Sequence, residues 1–218
     1  MKKQILLLFI FQLVYLVGKT QDPIFDWSRA MGGTGEEYGY SVTTDPAGNV
    51  YTVGTFSGTA DFDPGPGVSN ATSNGQNDLY IQKMDKNGFL LWIKTIGGTG
   101  NEYAYKVKYD ASSGNIYIAG GFETTVDFDP GTGTTTITAN GITDGYVLCL
   151  TTSGNYVNAY TMGGSGNIAV CTSLTFDASG RIHTTGRFTG TVDFNPSGGV
   201  LNLTSAGGFD VFVQKLSS

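Results

Sequence analysis

Three landmarks recur at one fixed spacing: Gly54, Gly120 and Gly186 lie 66 residues apart, as do Asp61, Asp127 and Asp193, and again Asp78, Asp144 and Asp210. One period read at independent positions is the mark of a repeat architecture, in which each unit buries its apolar surface against its neighbours. The segments inside each unit keep their order. Gly32–Gly35, Gly97–Gly100 and Gly163–Gly166 open the units as Gly-Gly-(Thr/Ser)-Gly. A short strand then ends at Asp45, Asp110 or Asp177. A turn follows, with Gly48, Gly114 or Gly180 at a position that suits left-handed backbone. A second strand returns over 50–56, 116–122 and 182–188. Next come Asp61-Phe62-Asp63-Pro64-Gly65 and Asp127-Phe128-Asp129-Pro130-Gly131, drifting to Asp193-Phe194-Asn195-Pro196-Ser197. A Thr- and Ser-rich stretch follows, expected as an extended hairpin or loop. A third strand starts at Asp78, Asp144 or Asp210, and a turn at Gly88 or Gly154 leads to a fourth over 89–96 or 156–162.

Four strands joined in sequence order form an antiparallel blade, so the expected fold is all-β and β-propeller-like, with about three four-stranded blades. Composition agrees, with 33 Gly, 12% aromatic and only 14% charged residues, which disfavours helical bundles and disorder. The blades fall at about 32–97, 98–163 and 164–218. The last has three strands of its own, and residues 24–31, which match the fourth strand around Trp92, are expected to complete it. Closed propellers have four to eight blades. Three blades therefore describe an open arc, a fragment of a longer protein, or a protomer of a larger ring. End faces lined by residues such as Val50, Ile116, Tyr117 and Ile182 make self-association the expectation, with strand 24–31 pairing to the 211–216 strand of its own chain or of a partner.

Residues 1–20 read as an address. Lys2 and Lys3 precede an apolar run from Ile5 to Val17, and small residues follow at Gly18 and Thr20. This is the layout of a secretory signal peptide, leaving 21–218 as the repeat domain, secreted or at the cell surface, with no membrane span after cleavage. The formal charge of −6 argues against a nucleic-acid binder, which needs a basic face.

Together the Asp-Ala-Ser-Gly turn, the Val-Asp-Phe-Asp-Pro-Gly element, the Asp-x-(Phe/Tyr)-(Val/Ile)-Gln-Lys strand and the Gly-x-x-x-Trp turn resemble the seven-bladed β-propeller repeat family of bacterial secreted and surface proteins, in its Bacteroidetes form. The resemblance covers 24–218. It implies a structural repeat and brings no catalytic residues with it.

Candidate chemistry is sparse. His183 is the one histidine and takes the position of Tyr51 and Tyr117, which favours a structural role over catalysis. Cys149 and Cys171 are the only cysteines. Export permits a disulfide between them, but the spacing does not decide whether they pair. Asp61 with Asp63, and Asp127 with Asp129, sit at i, i+2 spacing and could offer oxygens to Ca²⁺. The competing reading, that they cap the turns before Pro64 and Pro130, is favoured because ligand density is low. No catalytic or cofactor-binding residues are assigned, and no cofactor other than Ca²⁺ is in view. The acidic residues recur in register across the blades, whereas an acid/base site needs one blade to differ. The expected function is a non-catalytic extracellular binding or structural scaffold for an unknown protein or glycan. The alternative is a polysaccharide-acting or other secreted propeller enzyme.

Overall fold

A computed structural model describes residues 24–217; the expected signal peptide lies outside them. Each blade is built on one plan. In the first, β1 (Gly32–Gly33) precedes β2 (Glu37–Thr44), β3 (Val50–Phe56), β4 (Thr59–Asp61), β5 (Asn70–Thr72), β6 (Asp78–Met84) and β7 (Leu90–Ile96). The second contains β8 (Glu102–Asp110), β9 (Asn115–Phe122), β10 (Thr125–Asp127), β11 (Thr136–Thr138), β12 (Asp144–Thr151) and β13 (Tyr156–Met162). The third contains β14 (Ala169–Phe176), β15 (Ile182–Phe188), β16 (Thr191–Asp193), β17 (Asn202–Thr204) and β18 (Asp210–Leu216). The main sheets run β2-β3-β6-β7, β8-β9-β12-β13 and β14-β15-β18, all antiparallel. The Thr- and Ser-rich stretches form small ribbons, β4–β5, β10–β11 and β16–β17, in sheets separate from the blades, and β1 joins the first of them through β4.

Local chemistry explains the turns. Asp45 Oδ1 accepts the backbone N–H groups of Ala47 (3.0 Å) and Asn49 (2.9 Å), and Asp177 does the same for Ser179 and Arg181. Gly48, Gly114 and Gly180 have φ of 82°, 72° and 75°, the left-handed conformation expected of them.

The first strand of each blade lies across the blade before it: β8 packs on β2, β3 and β6, and β14 on β8, β9 and β12. The core therefore sits between blades. Tyr51, Val53, Leu79 and Ile81 of blade one meet Val107, Ile116 and Ile118 of blade two, while Val147 and Met162 of blade two meet Leu174 and Phe212 of blade three. Strands alternate faces, so the middle blade buries both of its faces and β12 is apolar along nearly its whole length.

Two expectations need correction. Residues 24–31 do not complete the third sheet, which has three strands; they lie outside regular strand at the other end of the arc. The residues expected to line exposed end faces are also not the exposed ones. Ile116 and Ile182 are buried, and Val50 and Tyr117 are half-buried, because second strands lie inside the blade stack. Val42 at one end and Val211 and Val213 at the other are instead open to solvent.

Candidate functional site: a tyrosine ladder across two blades

Glu37-Tyr38-Gly39-Tyr40 and Glu102-Tyr103-Ala104-Tyr105 begin the first strands of blades one and two. The pairing of β2 with β3 slips between Gly39 and Ser41, and that of β8 with β9 slips between Ala104 and Lys106. Tyr40 and Tyr105 are thus the extra residues of two β-bulges, devices that re-aim a side chain. Their rings meet across the blade boundary at 5.3 Å. Tyr38 stacks on Tyr40 at 6.1 Å and 10°, and Tyr103 on Tyr105 at 5.7 Å and 9°. Four rings thereby form one ladder where the first strands converge.

The ladder is polar at its margins. Tyr38 donates its hydroxyl to Glu36 Oε2 (3.1 Å), and this bond raises its pKa above 10. Burial raises those of Tyr103 and Tyr105, with Arg187 opposing the rise at Tyr105. These three phenols are neutral near pH 7 and act as hydrogen-bonding rings, not as tyrosinate bases. Tyr38 and Tyr40 are exposed, whereas Tyr103 and Tyr105 are half-buried. The third blade has Val170 and Thr172 at the matching positions, so the ladder breaks the repeat. The paired Glu-Tyr-x-Tyr segments, absent from blade three, are the sequence signal that points to it; the bulges that aim the rings have none.

The residues singled out in the sequence lie elsewhere. Asp61 Oδ1 accepts the N–H groups of Asp63 (3.0 Å) and Ser69 (2.8 Å), and Asp63 Oδ1 accepts that of Gly65 (2.8 Å). Asp127 and Asp129 repeat the arrangement with Asp129, Thr135 and Gly131. In blade three Asn195 fills the same role with an amide oxygen, accepting the N–H of Ser197 (2.9 Å). These are turn-capping contacts. Among the described residues no three His, Cys, Asp or Glu side chains gather in a way that could hold a metal ion. His183 Nε2 lies 3.3 Å from Asp177 Oδ2, as the Tyr51 hydroxyl lies 3.0 Å from Asp45 Oδ2. The histidine replaces a repeat tyrosine in the same contact. Cys149 and Cys171 are both free and buried in different blades. Burial pushes the Cys171 thiol up to about 12, which removes its reactivity at neutral pH.

The comparisons agree with this architecture. Among curated proteins the chain is similar to an uncharacterized WD repeat-containing protein of Acanthamoeba polyphaga mimivirus, with 26% identity over 208 residues, 84% of this chain and 15% of the relative. WD repeats are propeller blades of four strands. The fold is propeller-like. The chain spans about 15% of the length of that relative. No protein-family model matches the sequence.

Proposed function

We propose that this chain is a non-catalytic, extracellular binding scaffold of the bacterial secreted propeller-repeat type, and that the tyrosine ladder is its contact surface for a glycan. The observation that carries this is the ladder itself: the exposed rings of Tyr38 and Tyr40 backed by the half-buried Tyr103 and Tyr105, placed where the blade repeat is broken. Sugar rings present an apolar face that stacks on an aromatic ring and a rim of hydroxyls that pairs with polar groups. The scaffold reading is supported by the use of the repeated acids. Asp45, Asp61, Asp127 and Asp177 hold turns, while Asp78 and Asp144 accept the N–H groups of Asn74 (3.0 Å) and Asn140 (2.8 Å).

A glycan array probed with the purified chain and with the double variant Tyr40→Ala, Tyr105→Ala tests the proposal. We expect discrete glycan signals that fall at least about tenfold in the variant, the scale of losing stacked rings. Equal signals from both proteins, or signals only on a protein array, would overturn the glycan reading. Export is tested separately by N-terminal mass mapping of protein recovered outside the cell. Residues 1–20 are expected to be absent from it.

A further inference from the structure

The two ends of the arc fit each other. The positions of Val211 and Val213 in β18 correspond to Leu79 and Ile81 in β6 and to Gly145 and Val147 in β12. Leu79, Ile81 and Val147 are 0% exposed because the next blade covers them; Val211 and Val213 are 76% and 78% exposed. At the opposite end, Val42 corresponds to Val107 and Leu174, which are 1% and 3% exposed, yet Val42 is 59% exposed. One end is a trailing blade face without its cover. The other is a leading face without its support.

The joint they would make already exists twice within the chain. At each blade boundary the residue before a third strand bridges, in parallel, the residue before the next blade's first strand: Asn77 with Asn101, and Thr143 with Ile168. Glu102 then donates its backbone N–H to Asn77 O, and Ala169 does so to Thr143 O. By the same register, the unused pair is Phe209 with Glu36.

A second observation is independent of these faces. Trp92, on the fourth strand of blade one, donates its indole N–H to Thr152 O in the outer turn of blade two (3.2 Å). Trp27 donates its own to Lys86 O in the equivalent turn of blade one (3.0 Å). Arg29 donates to Gly88 O (3.1 Å), beside the place that Lys94 takes against Gly154. Residues 27–29 thus rest against blade one as the fourth strand of a preceding blade would. No such blade is present among the described residues, while the third blade lacks a fourth strand and leaves one edge of β18 open. A cleft of about 310 Å³ lined by Phe194, Leu203, Val213 and Leu216 runs beside it.

We propose that two copies of this chain join head to tail through both ends, with the blade-one face of each copy on the blade-three face of the other and the Trp27 segment of each serving as the missing fourth strand. Two such arcs give six blades, within the four to eight that close a propeller, and a two-copy ring pairs the two described ends with each other, as closed symmetry requires. Carrying over the pairing of β6 with β7, in which Ile81 faces Lys94 and Gln82 faces Ile93, sets Val213 opposite Arg29 of the other copy and Gln214 opposite Ser28.

Light scattering of the purified chain after size exclusion is expected to give twice the chain mass. Val211→Lys with Val213→Lys should give the single mass while keeping the β-sheet circular dichroism, since neither side chain is buried within one copy. Ser28→Cys with Gln214→Cys should form a disulfide between copies on oxidation, seen as a dimer band on a non-reducing gel; the native cysteines are buried. A wild-type monomer with one cooperative melt overturns the proposal, and is also the outcome if the ends are covered by further blades of a longer chain. A ladder of larger species overturns ring closure. A dimer indifferent to the two lysines, or cysteines that form no bond between copies, overturns this joint.

Discussion

Gly54, Gly120 and Gly186, the first landmark of the repeat, are glycines because a first-strand carbonyl (of Tyr38, Tyr103 or Val170) and a ring together crowd each. Gly54 faces Tyr80, Gly120 faces Tyr146 and Gly186 faces Phe212 across the second and third strands. A Cβ on Gly120 would lie 2.7 Å from the Tyr146 hydroxyl and overlap the Tyr103 carbonyl. Gly120→Ala is expected to cost about 3 kcal/mol, the upper range for overpacking, read from the urea midpoint; a loss too small to measure would show that the site relaxes. The opposite change applies at Thr124. Its φ is 57°, where the matching Gly58 and Gly190 have 66° and 59°. Left-handed backbone costs a residue with a Cβ about 1–2 kcal/mol, partly offset by the chain entropy that glycine loses. Thr124→Gly should therefore raise the midpoint modestly, and a fall would refute this.

The Asp-Phe-Asp-Pro-Gly element owes its place to its phenylalanine as much as to its acids. In each blade that ring joins two others: Phe62 with Phe56 (5.2 Å) and Tyr80 (4.9 Å), Phe128 with Phe122 (5.0 Å) and Tyr146 (5.2 Å), Phe194 with Phe188 (5.2 Å) and Phe212 (4.8 Å). The acids hold the turn that delivers the ring. Phe128→Ala is expected to lose about 3–5 kcal/mol. Asp129→Asn, which keeps an acceptor oxygen as Asn195 does in blade three, should lose under about 1 kcal/mol. Millimolar Ca²⁺ should leave the melting temperature of the wild type unchanged, and a rise of several degrees would restore Asp61, Asp63, Asp127 and Asp129 as metal ligands. The turns and strands were legible because their chemistry is local. The bulges at Tyr40 and Tyr105 were not, since a slipped register depends on the partner strand and leaves the residue order of its own strand unchanged.

The joint between blades one and two carries a pH dependence of the whole molecule. Glu102 is buried there, and burial, with Asp78 nearby, pushes its carboxyl from 4.5 up to about 7, against the Gly98 N–H that it accepts (2.8 Å). Because the native state holds this proton more tightly than the unfolded chain, the stabilisation is complete below pH 4.5 and is lost as pH rises to about 7. Glu102→Gln should remove that decline and make the protein more stable at about pH 8, by on the order of 2 kcal/mol. Urea unfolding across this pH range checks it. A wild-type curve no steeper than that of the variant would show that Glu102 does not titrate there. The seam holds two blades together, so one transition is expected to report both.

The 66-residue period, the order of strands and turns within a blade, the left-handed glycines and the number of blades are written in the residue order, because strand alternation and turn chemistry act within a few residues. Residues 24–31, expected as a fourth strand, lie outside regular strand. Where that segment rests, which face of each strand is covered, and the meeting of Tyr38, Tyr40, Tyr103 and Tyr105 come from the packing of one blade on another. Val213 and Ile81 are much alike as residues, and one is open while the other is sealed. The difference lies in the blade that packs on Ile81, brought there by chain far away in sequence.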